Sequence, residues 1–306
     1  MPDKNSLIIV VGPTGVGKSA LALALAARIG GEIITCDSMQ VYKGFDIGTD
    51  KPSAEDRKKA PHHLLDILDA AEQFTAADFA ALAFNAILSI GRRGGIPLVV
   101  GGTGLYFKAL LDGLFPGPGR DEAIRQALDR EAREHGLDHL WKRLEAVDPI
   151  YAKKIGSNDR IRIVRALEVH AVTGIPLSAH FGRTQSRLQA YVALKIGLQL
   201  ERKELYRAIE TRVDRMFEQG LVEEVQALLA SGVDETAPPF KALGYKYVLR
   251  HLKDRISLRE AVARTKIETR HYAKRQMTWF RKMDGVRWFQ AEDSEAIYAH
   301  VEQNLS

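Results

Sequence analysis

One glycine-rich segment near the start of the chain constrains the fold more than any other feature. It reads Gly12-Pro-Thr-Gly-Val-Gly-Lys-Ser19 and satisfies the pattern G-x-x-x-x-G-K-[ST]. The apolar run 7–11 precedes it, and the Ala- and Leu-rich run 19–29 follows it without a helix breaker. Strand, glycine loop and helix in this order form the first half of a βαβ unit. The sequence therefore predicts a parallel α/β sheet with a phosphate-binding loop after its first strand.

The chemistry of this phosphate loop follows from its residue types. Its glycines let backbone N–H groups close around phosphate oxygens, and the dipole of the next helix favours negative charge there. Lys18 can reach a terminal phosphate, and the Ser19 hydroxyl can bind Mg²⁺, which is the cofactor and metal site we expect. We also expect Lys18 to take part in catalysis. The predicted diphosphate-binding residues of the loop are Gly12, Pro13, Thr14, Gly15, Val16, Gly17, Lys18 and Ser19. The motif leaves open which compound carries the phosphates.

Further apolar runs extend the sheet. Residues 32–36 and 96–100 read as buried strands, and the helical stretch 76–92 lies between them, which is typical of a parallel sheet flanked by helices. A Pro/Gly cluster at 114–119 is followed by a charged, mainly helical region, and an alternating strand-like pattern returns at 191–200. We predict a core domain of residues 1–115 and 191–306 with basic C-terminal helices, interrupted by a helical insertion domain of residues 116–190.

Two segments that follow the predicted strands carry candidate catalytic groups. Ligands of open α/β sheets bind at the carboxyl ends of the strands, so Asp37–Gln40 and Gly101–Gly104 should face the phosphate loop. Asp37 has two candidate chemical roles, a metal-holding acid or a general base, and one structural role as a turn residue. The strand 96–100 ends in glycines instead of the Asp that commonly holds Mg²⁺ in P-loop NTPases, and no guanine-binding signature occurs. These absences disfavour an ATPase or GTPase and leave a small kinase open.

Positive charge is concentrated near the C-terminus. The net charge is +5, yet the segment from Arg259 to Lys282 holds eight Lys and Arg against two Glu, so the rest of the chain sums to −1. Such localised charge indicates a polyanionic partner. Lys266, Arg270 and Lys274 lie four residues apart and share one helical face. That face is either simply solvated or in contact with RNA phosphates.

Composition narrows the cellular context. No apolar run approaches the ~20 residues of a membrane span, so we expect no membrane partner. The single cysteine, Cys36, cannot form an internal disulfide or a Cys-rich zinc site. We expect a cytoplasmic protein, and a monomer because no heptad repeat or large apolar stripe is evident.

Several motifs in a fixed order resemble those of bacterial tRNA dimethylallyltransferases, the tRNA isopentenyltransferase family. They span nearly the whole chain, and the segments Gly101–Tyr106 and Lys274–Arg281 are far more specific than the phosphate loop. The complete set is Gly12–Ser19, Asp37–Tyr42, Gly48–Pro52, His62-His63, Gly101–Tyr106, Asn158–Glu168, Arg212–Met216 and Lys274–Arg281.

The resemblance implies a donor, an acceptor and residue roles. Dimethylallyl diphosphate would occupy the phosphate loop, and the acceptor would be N6 of the adenosine 3′-adjacent to the anticodon, in the anticodon stem-loop of tRNA. Asp37 would accept the N6 proton, Thr103 would lie near the reacting centre, and Arg212 would steady the diphosphate. With the basic face included, the predicted tRNA-binding residues are Asp37, Ser38, Met39, Gln40, Thr103, Arg125, Ile161, Arg162, Ile163, Val164, Arg165, Lys266, Arg270 and Lys274.

Three other functions stay open at the level of sequence. A transferase acting on free adenine nucleotide would not need the helical insertion or the basic helix. A P-loop metabolite kinase is disfavoured by the strand 96–100, which ends in glycines. A non-catalytic RNA-binding protein would leave both the phosphate loop and Asp37 unexplained.

Overall fold

The structure, a computed structural model, describes residues 6–115, 117–183 and 186–305. The chain divides into two compact units, a larger one of Met1–Leu111 and Arg187–Ser306 and a smaller one of Asp112–Ser186. Each junction lies four residues before the position that the sequence predicts. A single insertion thus interrupts the chain of the larger unit.

The larger unit is built on a six-stranded sheet in which all neighbouring strands are parallel. The strand order is β3-β2-β4-β1-β5-β6, so the predicted parallel α/β fold is confirmed. The strands are β1 (Ser6–Val11), β2 (Gly31–Cys36), β3 (His62–His63), β4 (Ile96–Gly101), β5 (Val192–Gln199) and β6 (Val286–Gln290). The sequence did not predict β3 or β6, the two edge strands.

Helices flank this sheet. In the described part of the larger unit they are α1 (Lys18–Ile29), α2 (Ala54–Lys59), α3 (Ala76–Arg92), α4 (Gly104–Leu111), α9 (Arg202–Glu218), α10 (Leu221–Ala230), α11 (Leu243–Leu252), α12 (Leu258–Phe280) and α13 (Ser294–Leu305), with a 3₁₀ turn at Pro238–Lys241. The helix α3 begins where its sequence dictates, because Thr75 and Asp78 form a reciprocal capping box. None of the described helices is long and apolar enough to cross a membrane.

Strand β1 shows why the sheet needs helices on both faces. Its side chains alternate between two hydrophobic clusters, as the two-residue period of a strand requires. Ile8 and Val10 pack in the cluster that includes α1, whereas Leu7, Ile9 and Val11 pack in the cluster that includes α3 and α4. All five side chains are fully buried. A continuous apolar run is therefore what a central parallel strand demands, and it fixes the position of the phosphate loop that follows.

The smaller unit is helical. Its helices are α5 (Glu122–His135), α6 (Leu137–Val147), α7 (Pro149–Ala152) and α8 (Arg160–Thr173), followed by a 3₁₀ segment at Leu177–Arg183. Leu128, Leu140 and Leu144 pack against Ile163 and Leu167 in its own hydrophobic core. The unit therefore has an apolar centre that does not depend on the sheet.

Candidate active site

The phosphate loop, Gly12–Ser19, connects β1 to α1 and depends on glycine at two points. Gly12 has a φ of 153°, and a Cβ there would lie 2.8 Å from the carbonyl oxygen of Leu198 on β5. Gly17 caps α1 in the left-handed region, with a φ of 93°. Only glycine combines these angles with so close an approach. The loop therefore presents backbone groups instead of side chains at the start of α1, where the helix dipole favours an anion.

A crevice of about 590 Å³ opens beside this loop. Its walls come from the loop, from the segments that follow β2 and β4, and from helices α9 and α12. The sequence-predicted residues that line it are Thr14, Lys18, Ser19, Asp37, Ser38, Met39, Gln40 and Arg212. Gly101 and Gly102 also line it, so the ends of β2 and β4 share this crevice with the phosphate loop, whereas the predicted residue Thr103 and its neighbour Gly104 are not among the lining residues.

Two cations of the crevice are held by the protein itself. Lys18 Nζ donates to the Pro13 carbonyl at 2.8 Å. The Arg212 guanidinium donates to the Thr14 hydroxyl and lies 3.2 Å from an Asp50 carboxylate oxygen. Burial, together with the nearby positive charge of Arg212, lowers the pKa of Lys18 to about 7. A polyphosphate bound beside Lys18 would add negative charge and so favour its protonated form.

Asp37 fills the structural role of a turn residue and leaves one carboxylate oxygen for a chemical role. Its Oδ1 accepts hydrogen bonds from the backbone N–H groups of Met39 at 2.8 Å and Gln40 at 3.3 Å. Within the described chain, Oδ2 has no hydrogen-bond partner, and Asp37 lines the crevice. One oxygen therefore fixes the orientation of the carboxylate, and the other stays available to a proton or a metal ion.

The hydroxyl groups of Thr103 and Tyr272 lie close to each other, and Tyr272 also lies within the influence of the Asp37 charge. The Thr103 Oγ1 atom is buried and finds no hydrogen-bond partner of acceptable geometry among the described residues. Tyr272 lines the crevice from α12. Burial raises the pKa of Tyr272 to about 12, the charge of Asp37 adds to the rise, and the nearby Thr103 hydroxyl partly offsets it. Tyr272 therefore keeps its proton at neutral pH, and the unsatisfied Thr103 oxygen has free hydrogen-bonding capacity.

Ser19 is the residue that the phosphate-loop motif assigns to Mg²⁺. Its side chain is exposed at the start of α1 and lines the crevice, and the described chain offers it no hydrogen-bond partner. No group of three or more His, Cys, Asp and Glu side chains is arranged for a metal among the described residues. The single Ser19 hydroxyl oxygen fits Mg²⁺, because this ion is usually held by one or two protein oxygens together with substrate phosphates.

The prediction made for the basic face of α12, formed by Lys266, Arg270 and Lys274, needs correction. Lys266 pairs with Asp214 at 2.6 Å, and Arg270 pairs with Glu210 at 2.7 Å, both on the neighbouring helix α9. Their side chains are only 24% and 30% exposed. Lys274 is exposed. The prediction that all three contact RNA phosphates is therefore not supported for Lys266 and Arg270, because their charges serve the packing of α12 on α9.

The residues of the smaller unit that were predicted to contact tRNA also divide into buried or paired side chains and exposed ones. Ile163 and Val164 are buried in its hydrophobic core and have no surface to offer, so their assignment was wrong. Arg162 is about half exposed and pairs with Asp159. Ile161 is 81% exposed, an unusual position for so apolar a side chain, and it stays a candidate for contact.

Arg125 and Arg165 serve a structural purpose. Both donate to the fully buried carboxylate of Glu168, Arg125 through two nitrogens at 2.8 and 2.9 Å and Arg165 at 2.6 Å. The Asp121 backbone N–H also donates to this carboxylate at 2.8 Å. These bonds hold the pKa of Glu168 at about 2, against the opposing effect of desolvation. Arg125, at 25% exposure, is primarily a partner of Glu168.

Among the crevice residues that the sequence analysis did not assign to the site, Tyr272, Gln276 and Asp50 bear most directly on its chemistry. Tyr272 and Gln276 lie one turn apart on α12, and Asp50 pairs with Arg212 and Arg215. Gln276 falls within the specific motif Lys274–Arg281, which is the one signal that could have drawn attention to it.

Comparison with known proteins adds an independent line of support. A protein-family model described as IPP transferase matches residues 40–283. A tRNA dimethylallyltransferase of Geobacter metallireducens is 52% identical, covering 94% of this chain and 93% of that protein.

Solved structures give the same result. A tRNA isopentenylpyrophosphate transferase of Bacillus halodurans aligns with a TM-score of 0.73 and 39% identity, over 98% of this chain and 97% of that one. A eukaryotic dimethylallyltransferase, solved in crystallographic snapshots of its action on tRNA, aligns with a TM-score of 0.79 and 32% identity, over 98% of this chain and 77% of that one.

Proposed function

Since the chain belongs to the IPP transferase family, we propose that it transfers a dimethylallyl group from dimethylallyl diphosphate to N6 of the adenosine 3′-adjacent to the anticodon of tRNA. One observation carries this proposal. A phosphate loop and an oriented carboxylate, Asp37, face the same crevice, so a diphosphate donor and a proton-bearing acceptor can meet there. The product is N6-(dimethylallyl)adenosine in tRNA.

On the donor side, the chain stabilises a departing diphosphate. The bond between the dimethylallyl carbon and its diphosphate oxygen breaks, and the electron pair leaves with the oxygen. Lys18 and Arg212 line the crevice and can neutralise the negative charge that develops. Arg212 is already oriented by the Thr14 hydroxyl and by Asp50. Such preorganised cations cost little reorganisation when the leaving group departs.

On the acceptor side, the chain provides a base. An exocyclic adenine amine is a weak nucleophile because its lone pair is delocalised into the ring. As the bond between N6 and the dimethylallyl carbon forms, the N6 proton moves to the free Oδ2 of Asp37. Thr103, whose buried hydroxyl lacks a partner, and Tyr272, which keeps its proton, can orient the amine and the base.

Mg²⁺ is proposed as the cofactor. Ser19 would hold it together with oxygens of the diphosphate, and it would supply further positive charge against the leaving group. The acceptor adenine has to leave its base stack to reach the crevice, which costs a few kcal/mol and is cheapest in a loop. This cost favours an anticodon-loop substrate over paired RNA. We place the enzyme in the cytoplasm, where such a substrate is present.

The decisive experiment offers the enzyme labelled dimethylallyl diphosphate with three acceptors: an anticodon stem-loop RNA, the same RNA with guanosine at the acceptor position, and AMP. We expect label only in the first RNA. Labelling of AMP at a comparable rate would instead indicate a transferase for free nucleotides. A parallel reaction with labelled ATP and AMP tests the kinase alternative, and phosphoryl transfer there without any prenyl transfer would identify a kinase.

A further inference from the structure

A buried amide on α12 joins two loops of the crevice. Gln276 is only 6% exposed, and its side chain makes two hydrogen bonds to distant backbone groups. Its Oε1 accepts from the Thr14 N–H at 2.8 Å, and its Nε2 donates to the Gly102 carbonyl at 2.9 Å. Both polar atoms of the amide are therefore satisfied, one by the phosphate loop and the other by the segment after β4.

The backbone at residue 102 is shaped around this amide. A Cβ on Gly102 would lie 2.2 Å from Gln276 Nε2. Since real Cβ atoms do not approach other atoms so closely, any larger residue at position 102 would displace the amide. The lack of a side chain at Gly102 therefore leaves the space that the Gln276 amide occupies.

The two bonded groups belong to opposite sides of the proposed reaction. Thr14 lies in the phosphate loop, and its hydroxyl also accepts from Arg212. Gly102 directly precedes Thr103, whose buried hydroxyl lies beside Tyr272, and Tyr272 lines the same crevice as Asp37. The Thr14 N–H is directed to Gln276, so the amide acts on the loop instead of on a ligand. A planar amide with two fixed bonds sets the distance between the loops more rigidly than an apolar contact of the same size.

We propose that Gln276 is a positioning residue that keeps the diphosphate-binding loop and the Thr103 segment in register, so that the donor and the acceptor base are aligned. The inference rests on the proposed function but can be tested separately, because inorganic pyrophosphate binding requires neither tRNA nor transfer. The register matters because reacting atoms misplaced by about 1 Å can cost around 100-fold in rate.

The first test replaces the amide by an apolar side chain of similar length. Gln276→Met removes both hydrogen bonds and leaves the Thr14 N–H and the Gly102 carbonyl without their partner. We expect pyrophosphate to bind about tenfold more weakly or worse, and single-turnover transfer at saturating donor to fall as well. The affinity for tRNA should stay within about twofold of wild type. Thr278→Val is the matched control, because Thr278 lies on the same helix and bonds only to the Lys274 carbonyl of that helix.

The second test uses pH, because a carboxyl group at position 276 changes its hydrogen bonding when it ionises, whereas an apolar side chain does not. In Gln276→Glu, the protonated carboxyl can accept from Thr14 and donate to Gly102, as the amide does. The ionised carboxylate can only accept, so it repels the Gly102 carbonyl. Burial raises the pKa of a carboxyl group. The transfer rate of Gln276→Glu, divided by that of wild type at each pH, should therefore fall as pH rises, whereas the same ratio for Gln276→Met should stay flat.

The outcomes separate the inference from the proposed function. Wild-type pyrophosphate affinity in Gln276→Met would overturn the positioning role, and so would a parallel loss of tRNA affinity, which indicates a general loss of structure. A flat pH ratio for Gln276→Glu would also overturn it. Failure of the wild-type enzyme to bind pyrophosphate at all would instead refute the diphosphate site on which the proposed function depends.

Discussion

Replacing Asp37 with asparagine separates its chemical role from its structural one. Asp37 Oδ1 accepts two backbone hydrogen bonds, from Met39 at 2.8 Å and Gln40 at 3.3 Å. An asparagine oxygen can accept both, so Asp37→Asn should lower the free energy of unfolding by no more than about 1 kcal/mol. The group at Oδ2 becomes an amide NH₂, which cannot take a proton. The variant should therefore be folded but lack its base.

The expected loss of rate follows from the value of general-base catalysis. A positioned base contributes roughly 10²–10⁴-fold, which at about 1.36 kcal/mol per factor of ten is about 3–5 kcal/mol of activation free energy. Because this contribution arises as the amine attacks, kcat should fall by that factor, while the affinities for tRNA and donor stay within a few-fold. Asp37→Ala is the comparison, since it also removes the two backbone bonds and should cost about 1–3 kcal/mol of stability.

The assay is single-turnover transfer from labelled dimethylallyl diphosphate, measured across a range of Mg²⁺ concentrations, beside tRNA binding and thermal unfolding. A metal-holding role for Asp37 predicts that high Mg²⁺ restores much of the rate of Asp37→Asn. Such a rescue to near the wild-type rate would refute the general-base assignment. A rate close to wild type at all Mg²⁺ concentrations would reduce Asp37 to a turn residue.

Three further predictions follow from the charges of the structure. Because burial and the charge of Arg212 lower the pKa of Lys18 to about 7, diphosphate binding near pH 8.5 should take up about one proton, and its affinity should fall as pH rises above about 7. Calorimetry in two buffers should show no such uptake for Lys18→Arg, whose guanidinium is always charged; equal uptake would contradict the assignment. Replacing both Lys266 and Arg270 with Gln should leave the salt dependence of tRNA binding unchanged, because these charges already pair with Asp214 and Glu210. If the plot of log binding constant against log salt concentration became flatter by about 0.7–0.9 per replaced residue, both side chains would contact phosphates after all. Glu168→Gln should destabilise the protein by about 3 kcal/mol. The native pKa of Glu168 is lowered to about 2 from an ordinary 4.5, so the stability that this group gives the wild type is present above pH 4.5 and is lost as pH falls towards 2. Denaturant unfolding of the wild type and of Glu168→Gln, at neutral and at acid pH, measures the loss of stability and its pH dependence. An equally stable Glu168→Gln would show the ion pairs to be dispensable.

Features with local causes could be predicted from the amino-acid sequence alone. The phosphate loop is contiguous, so eight neighbouring residues reveal both its backbone shape and its chemistry. Strand β1 can be predicted from the sequence because a central parallel strand is buried on both faces and so is apolar throughout. The start of α3 can be predicted because its capping box lies within four consecutive residues. The edge strands escaped prediction for the opposite reason. β3 is only His62-His63, and β6 carries Arg287 and Gln290, so neither is a continuous apolar run.

Which polar side chains are free to act depends on how distant segments of the chain pack together. The spacing of Lys266 and Arg270 predicts one helical face, but it does not reveal that α9 brings Asp214 and Glu210 against that face. Ile163 and Val164 belong to a matching motif, yet the packing of α8 buries them. Gln276 meets partners 262 and 174 residues away. Local sequence encodes propensity and chemical type, whereas pairing and burial depend on segments far apart in the chain, which come together only when the protein folds.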